Sequence, residues 1–198
     1  MKNIFEEITK NCNHKKVKKL CESLSKKISF KSGKDIEKLC HLAYWLYILG
    51  KIELSKKCIE LTHTIEFDGN YNIWTYIHTM WGLEIRILNE EGNVKKAKEI
   101  VNKINEQLLA PTKFETVEEV KISENKSRNK KTLEDINYEK EITESVKEND
   151  IKNANVWRFI ALFELIGYTE TGFYPKLNKN KDRIEKIIKN YIEEILKK

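Results

Sequence analysis

Residues 39–50 read Leu-Cys-His-Leu-Ala-Tyr-Trp-Leu-Tyr-Ile-Leu-Gly, the most apolar run in the chain. Ile36, Leu39, Ala43, Leu46 and Leu49 recur at helical spacing, and Tyr44, Trp45, Tyr47 and Ile48 fill the other sides. A helix that is apolar most of the way round needs neighbours on several sides. The run therefore predicts a central helix with other helices packed about it. Gly50 ends it, because glycine enters the left-handed conformation of a helix C-terminus without steric cost. Trp45 and its tyrosines are expected to pack between helical hairpins rather than to cage a ligand.

The remaining sequence supplies the neighbours. Two Pro and seven Gly in 198 residues leave too few turn residues for a strand-rich fold. Residues 3–10 make a short amphipathic turn through Ile4, Phe5 and Ile8. Val17, Leu20, Cys21, Leu24 and Ile28 then follow spacings of three and four. Ser32-Gly33 breaks the pattern, and Asp35 is the expected N-cap of the central helix. A second helix is predicted from Ile52 to Phe67, with Ile52, Ser55, Ile59, Thr62 and Ile65 inward. After the turn signal Asp68-Gly69-Asn70, a third runs from Tyr71 or Asn72 to about Glu91. Its stripe is Ile73, Trp74, Ile77, Trp81, Ile85 and Leu88. A fourth, Val94 to Leu109, turns in Ala97, Ile100, Val101, Ile104 and Leu108 before Pro111 closes the block.

Residues 112–152 differ, with eleven acidic and nine basic residues and no glycine. Such a composition buries too little apolar surface to offset ordering entropy, so a weakly ordered connection is expected. Within it, 132–147 has helical spacing through Leu133, Ile136, Ile142 and Val146. A C-terminal helical pair follows at 153–198: one helix to Gly167, then an aromatic loop containing Phe173 and Tyr174, then a last helix over about 178–197. The expectation is a single all-α domain over 1–198, built of antiparallel helical hairpins, with the C-terminal helix closing the stack.

Two of the hairpins repeat. Superposing Gly50 on Gly92 pairs Ile52 with Val94, Ser55 with Ala97, Ile59 with Val101 and Thr62 with Ile104. Each register is helix, glycine turn, helix, with a small residue five positions after the glycine. Over 36–110 this resembles the second half of a tetratricopeptide repeat (TPR), where the glycine makes the turn and the small residue lets the helices approach. The glycines are 42 apart rather than the ~34 of a standard repeat, and the first-helix Trp and Leu-Gly signature is missing. The resemblance implies a concave surface for a peptide or protein. The chain also resembles small uncharacterised bacterial proteins of AT-rich genomes, consistent with its excess of Lys, Ile and Asn.

Charge is unevenly placed. Residues 1–34 hold ten Lys against three Glu, and 176–198 hold eight basic against four acidic residues, in a chain of net charge +6. The basic termini make a nucleic-acid partner an alternative to a solvated lysine face. Cys12, Cys21, Cys40 and Cys58 form no C-x-x-C pair, the chain opens without a signal-peptide pattern, and no apolar run approaches a membrane span. A cytoplasmic protein with free thiols and no membrane association is expected.

Motifs for chemistry are missing. There is no P-loop, dinucleotide-binding, zincin or nucleophile-elbow pattern. Cys12-Asn13-His14 and Cys58 with His63 do not complete a zinc set. Asp68-Gly69-Asn70-Tyr71-Asn72 begins like an EF-hand loop but has Ile73 at the required glycine and Thr79 at the required glutamate. No Arg is followed by a His in the manner of the all-α HEPN nucleases, and Cys40-His41 point about 100° apart on a helix. No cofactor and no metal are expected. The residues best placed to line a partner surface or pocket are Glu66, Tyr71, Trp74, His78, Trp81, Phe173 and Tyr174. The leading expectation is a non-catalytic protein-interaction protein, of immunity or adaptor type, with one protein partner. The alternatives are nucleic-acid binding through the lysine-rich ends and an all-α enzyme using His78, Glu84 or Glu66.

Overall fold

The computed structural model describes residues 2–109, 153–166 and 181–191, with single positions at 144, 146, 147 and 193. The fold is all-α, with no strand among the described residues. The elements are α1 (Lys2–Asn11), α2 (Lys15–Lys26), α3 (Gly33–Ile48), α4 (Ile52–Glu60), a 3₁₀ turn (Leu61–Thr64), α5 (Tyr71–Glu90), α6 (Val94–Leu109), α7 (Asn153–Ile166) and α8 (Lys181–Tyr191). They fall into two compact units, Met1–Asn125 and Lys126–Lys198, and the boundary lies inside the charged stretch 112–152. That stretch lies outside the described residues except at 144, 146 and 147, which are helical.

In the first unit α3 packs against α2, α4 and α5 at once, while α1 packs on α2 and touches α4. Ten of the sixteen residues of α3 are buried, which is why its sequence is apolar most of the way round. At about 1.5–3 kcal/mol for each large aliphatic or aromatic side chain, this helix carries the largest share of the core. Trp45 lies in it as expected. Its indole stacks on His14 at 5.0 Å between centroids, and so joins α3 to the start of α2.

The two glycine turns match bond for bond. Gly50 and Gly92 have φ of +72° and +76°. Lys51 N–H reaches back to the Leu46 carbonyl at 2.8 Å, and Asn93 N–H reaches the Leu88 carbonyl at 2.8 Å. Gly50 N–H bonds the Tyr47 carbonyl and Gly92 N–H bonds the Asn89 carbonyl. Each is a Schellman closure that satisfies carbonyls the helix end leaves over. The small residues then sit where the helices meet: Ser55 is fully buried and donates its hydroxyl to the Ala43 carbonyl at 2.8 Å, and Ala97 is buried at the equivalent place.

Four local expectations are corrected. Asp35 is not the N-cap. Ser32 holds that position with extended backbone, the helix starts at Gly33, and the Asp35 carboxylate instead accepts Ser29 N–H at 3.0 Å, folding the preceding turn back. The second helix does not run unbroken to Phe67. Thr62 and Thr64 donate their hydroxyls to the carbonyls three residues back, at 2.6 and 3.0 Å, and the backbone tightens to a 3₁₀ turn before Ile65 extends. On α4 the buried set is Leu54, Ser55, Cys58 and Ile59, with Ile52 half-buried, because the helix lies against both α3 and α5. On α6, Ala97 and Ile100 face α5, and Val101, about 100° further round, is exposed.

In the second unit, α7 buries Phe159, Ala161, Leu162, Leu165 and Ile166, and α8 buries Ile188 and Tyr191. The last helix is described only over Lys181–Tyr191 of the expected 178–197, with position 193 beyond it. Burial pushes the Tyr191 hydroxyl up to about 12 against the opposing charge of Arg158.

Candidate functional site

α5 carries Trp74, His78 and Trp81 at spacings of four and three, so one face of the helix presents all three rings. The rings touch in sequence. Trp74 meets Trp81 edge to face at 5.7 Å, and His78 lies 5.6 Å from one and 5.7 Å from the other. Phe67, from the loop before α5, closes the Trp74 end at 4.9 Å. His63, from the 3₁₀ turn, closes the other end by stacking on Trp81 at 5.0 Å with the rings 12° from parallel. From α6, the Lys103 ammonium lies 4.4 Å from the centre of the Trp81 ring, within cation–π range.

Each indole and each imidazole also holds a polar partner. Trp74 Nε1–H donates to Asp68 Oδ1 at 3.0 Å. Trp81 Nε1–H donates to Thr62 Oγ1 at 2.9 Å, and that hydroxyl donates on to the Ile59 carbonyl. His78 Nε2 is 2.8 Å from Gln107 Oε1 on α6, and His63 Nε2 is 2.6 Å from Glu84 Oε2. A buried polar group left without such a partner would cost about 1–3 kcal/mol. The bonds therefore hold the 3₁₀ turn and α6 to α5.

Glu84 is the most demanding member, a carboxylate only 7% exposed. Burial raises its pKa, but the His63 hydrogen bond and the charges of His63 and Lys96 outweigh that and hold it below the ordinary value. Lys96 approaches Oε1 at 3.5 Å. An ionised carboxylate only accepts, so His63 carries its proton on Nε2. Burial lowers the pKa of His78, opposed by the Gln107 hydrogen bond. By the repeat register Glu84 stands where the first hairpin has Leu42, and Lys96 where it has Leu54. The second hairpin thus has an ion pair at positions that are apolar in the first.

Of the residues singled out from sequence, Trp74, His78 and Trp81 come together. Trp74 and Trp81 are buried, and His78 is half-buried. Tyr71 is the first residue of α5. Glu66 is exposed and shares in none of these bonds. Phe173 and Tyr174 lie outside the described residues. Asp68, Thr62, Lys103 and Gln107 were missed. Only the Asp68 turn signal, six residues before Trp74, lay close enough in sequence to suggest one of them.

Three other surfaces stand out among the described residues of the first unit. Val94 and Val101, seven residues apart on α6, are 50% and 39% exposed. An open groove of about 720 Å³ lies between α1 and the α4 end, where Lys57 meets Glu7 at 2.6 Å. The outer side of α2 is lined with lysine. Among the described residues no three His, Cys, Asp or Glu gather as a metal site, and no helix is long and apolar enough to cross a membrane. No curated protein and no solved structure matches the chain. One family model does, over residues 1–197, so nearly the whole sequence is accounted for: the chain belongs to the Family of unknown function (DUF6707).

Proposed function

We propose that this is a non-catalytic protein-interaction protein of immunity or adaptor type, which binds one protein partner on the outer side of α6. The carrying observation is the exposed pair Val94 and Val101. Their helix packs chiefly on α5, and among the described residues these two side chains stay exposed on its other side. In a TPR-like stack the outer side of a hairpin is where a neighbouring repeat docks, and a partner takes the same place here. Apolar side chains seven apart on a helix point to the same side and can meet one partner together. The immunity or adaptor role is an analogy at the level of fold. Four buried cysteines, with no disulfide between them, support a reducing, cytoplasmic setting.

The test is capture from the native host, comparing wild type with Val94→Glu/Val101→Glu. A specific partner is expected with wild type, at least ~10-fold weaker with the double variant, as loss of about 1.4 kcal/mol of interface energy requires. Equal capture and equal affinity by calorimetry would remove α6 as the site.

A further inference from the structure

We propose that the outer face of α2 is a sequence-independent binding surface for the phosphate backbone of a nucleic acid. α2 seats itself on the core through Val17, Cys21 and Leu24. The opposite side carries Lys15, Lys19, Glu22 and Lys26, all exposed and spaced four, three and four apart, with Lys18 beside them. The ridge is about 16 Å long at 1.5 Å per residue. That spans several phosphates of one strand at about 3.4 Å each.

Lys15, Lys18, Lys19 and Lys26 form no ion pair among the described residues. Lys38, Lys56, Lys57 and Lys96 each meet a carboxylate, and what sets the α2 lysines apart from the other exposed ones is that they share one face of one helix. The first turn of α2 has no acidic residue and its N-cap makes no side-chain bond, so the lysines there face the positive end of the helix dipole. Folding gains nothing from that arrangement, and an anionic partner does.

The chemistry of the face selects among polyanions. Protein interfaces centre on apolar and aromatic anchors and are depleted in lysine. α2 turns its buried apolar residues inward and has no aromatic residue. The same inward packing leaves no apolar side chains to enter a membrane interface. α2 has no arginine either, which removes the bidentate fork that reads base edges. Point charges without anchors or forks fit phosphates irrespective of sequence.

The test is fluorescence anisotropy with a labelled duplex of arbitrary sequence, about 20 base pairs, titrated between about 50 and 200 mM salt. Wild type is expected to bind, with log affinity falling against log salt at a slope of about −3 or steeper. Lys15→Gln/Lys19→Gln/Lys26→Gln should bind at least ~10-fold more weakly at low salt and lose about 2–3 units of that slope. Lys51→Gln/Lys95→Gln/Lys189→Gln removes the same charge elsewhere and should bind nearly as wild type. All six sites are exposed, and lysine and glutamine have similar helix propensity, so both variants fold. Three results would overturn the proposal: no binding at the lowest salt, equal weakening in both triple variants, or poly-L-glutamate bound as tightly with the same lysine dependence. The last would assign the face to an acidic protein.

Discussion

Gly82 and Gly92 ask opposite things of a methyl group. Neither would bring a Cβ within 4 Å of a neighbour, so space is not the issue at either site. Gly82 lies inside α5 with ordinary helical backbone, whereas Gly92 has φ of +76°. Gly82→Ala should stabilise by about 0.5–1 kcal/mol by removing freedom from the unfolded chain. Gly92→Ala should destabilise by about 1–2 kcal/mol through strain alone. Urea midpoints of the two variants, moving in opposite directions from wild type, check this. Glycine turns are legible from sequence for the same reason: the need for positive φ belongs to one residue.

Glu84 and two half-buried histidines shape the response to acid. His78 and His41 are held below the ordinary histidine value of 6.5, in both cases chiefly by burial. A group with a lowered folded pKa binds fewer protons folded than unfolded, so stability falls as pH drops through 6.5. Glu84 is also lowered, from 4.5, so its contribution is complete above that value and is lost as pH falls through the folded value. Urea midpoints measured down the pH scale should therefore decline in two stages. Glu84→Gln should remove its part of the lower stage and, by weakening its bonds to His63 and Lys96, cost about 1–3 kcal/mol at neutral pH. A variant with the wild-type acid limb would show that Glu84 does not set it.

At the scale of elements, one hydroxyl links the 3₁₀ turn after α4 both to α4 and to an indole of α5. Thr62 Oγ1 accepts from Trp81 and donates to Ile59. Thr62→Val keeps the shape but leaves the indole N–H buried without its acceptor, at about 1–3 kcal/mol. Thr62→Ser keeps both bonds and should cost less; thermal melts of the pair separate the hydroxyl from the methyl. Trp45 tests a different junction. Trp45→Ala empties the space between α3 and the start of α2, and should cost about 3–5 kcal/mol. A melt unchanged from wild type would show that the indole packs nothing. Sequence periodicity located α1 to α6 because each has one strongly apolar face or, in α3, is apolar most of the way round. It placed Ile52 and Val101 inward, whereas the orientations of α4 and α6 are set by the helices they lie against.

At the scale of the molecule, the lysine ridge and the exposed valines lie on separate helices, although α6 also exposes Lys95, Lys98 and Lys103. α2 is lysine outward, and α6 exposes two valines. Substitutions at exposed positions away from caps and partners change stability by less than about 0.5 kcal/mol. The Val94→Glu/Val101→Glu variant should therefore melt within a few degrees of wild type while losing its partner. A large fall in melting temperature would show that these valines pack against the chain itself.

What the sequence determined by itself was the all-α class, the central place of residues 39–48 and the two glycine turns. These rest on period and on single-residue conformational preference, which are local. Only the tertiary structure decided which polar groups meet. His63 and Glu84 are 21 residues apart, and His78 and Gln107 are 29 apart. Such pairs form because the 3₁₀ turn and α6 both lie against α5. Hydropathy records that a position is inside, whereas the partner of a buried polar atom depends on which helix packs there.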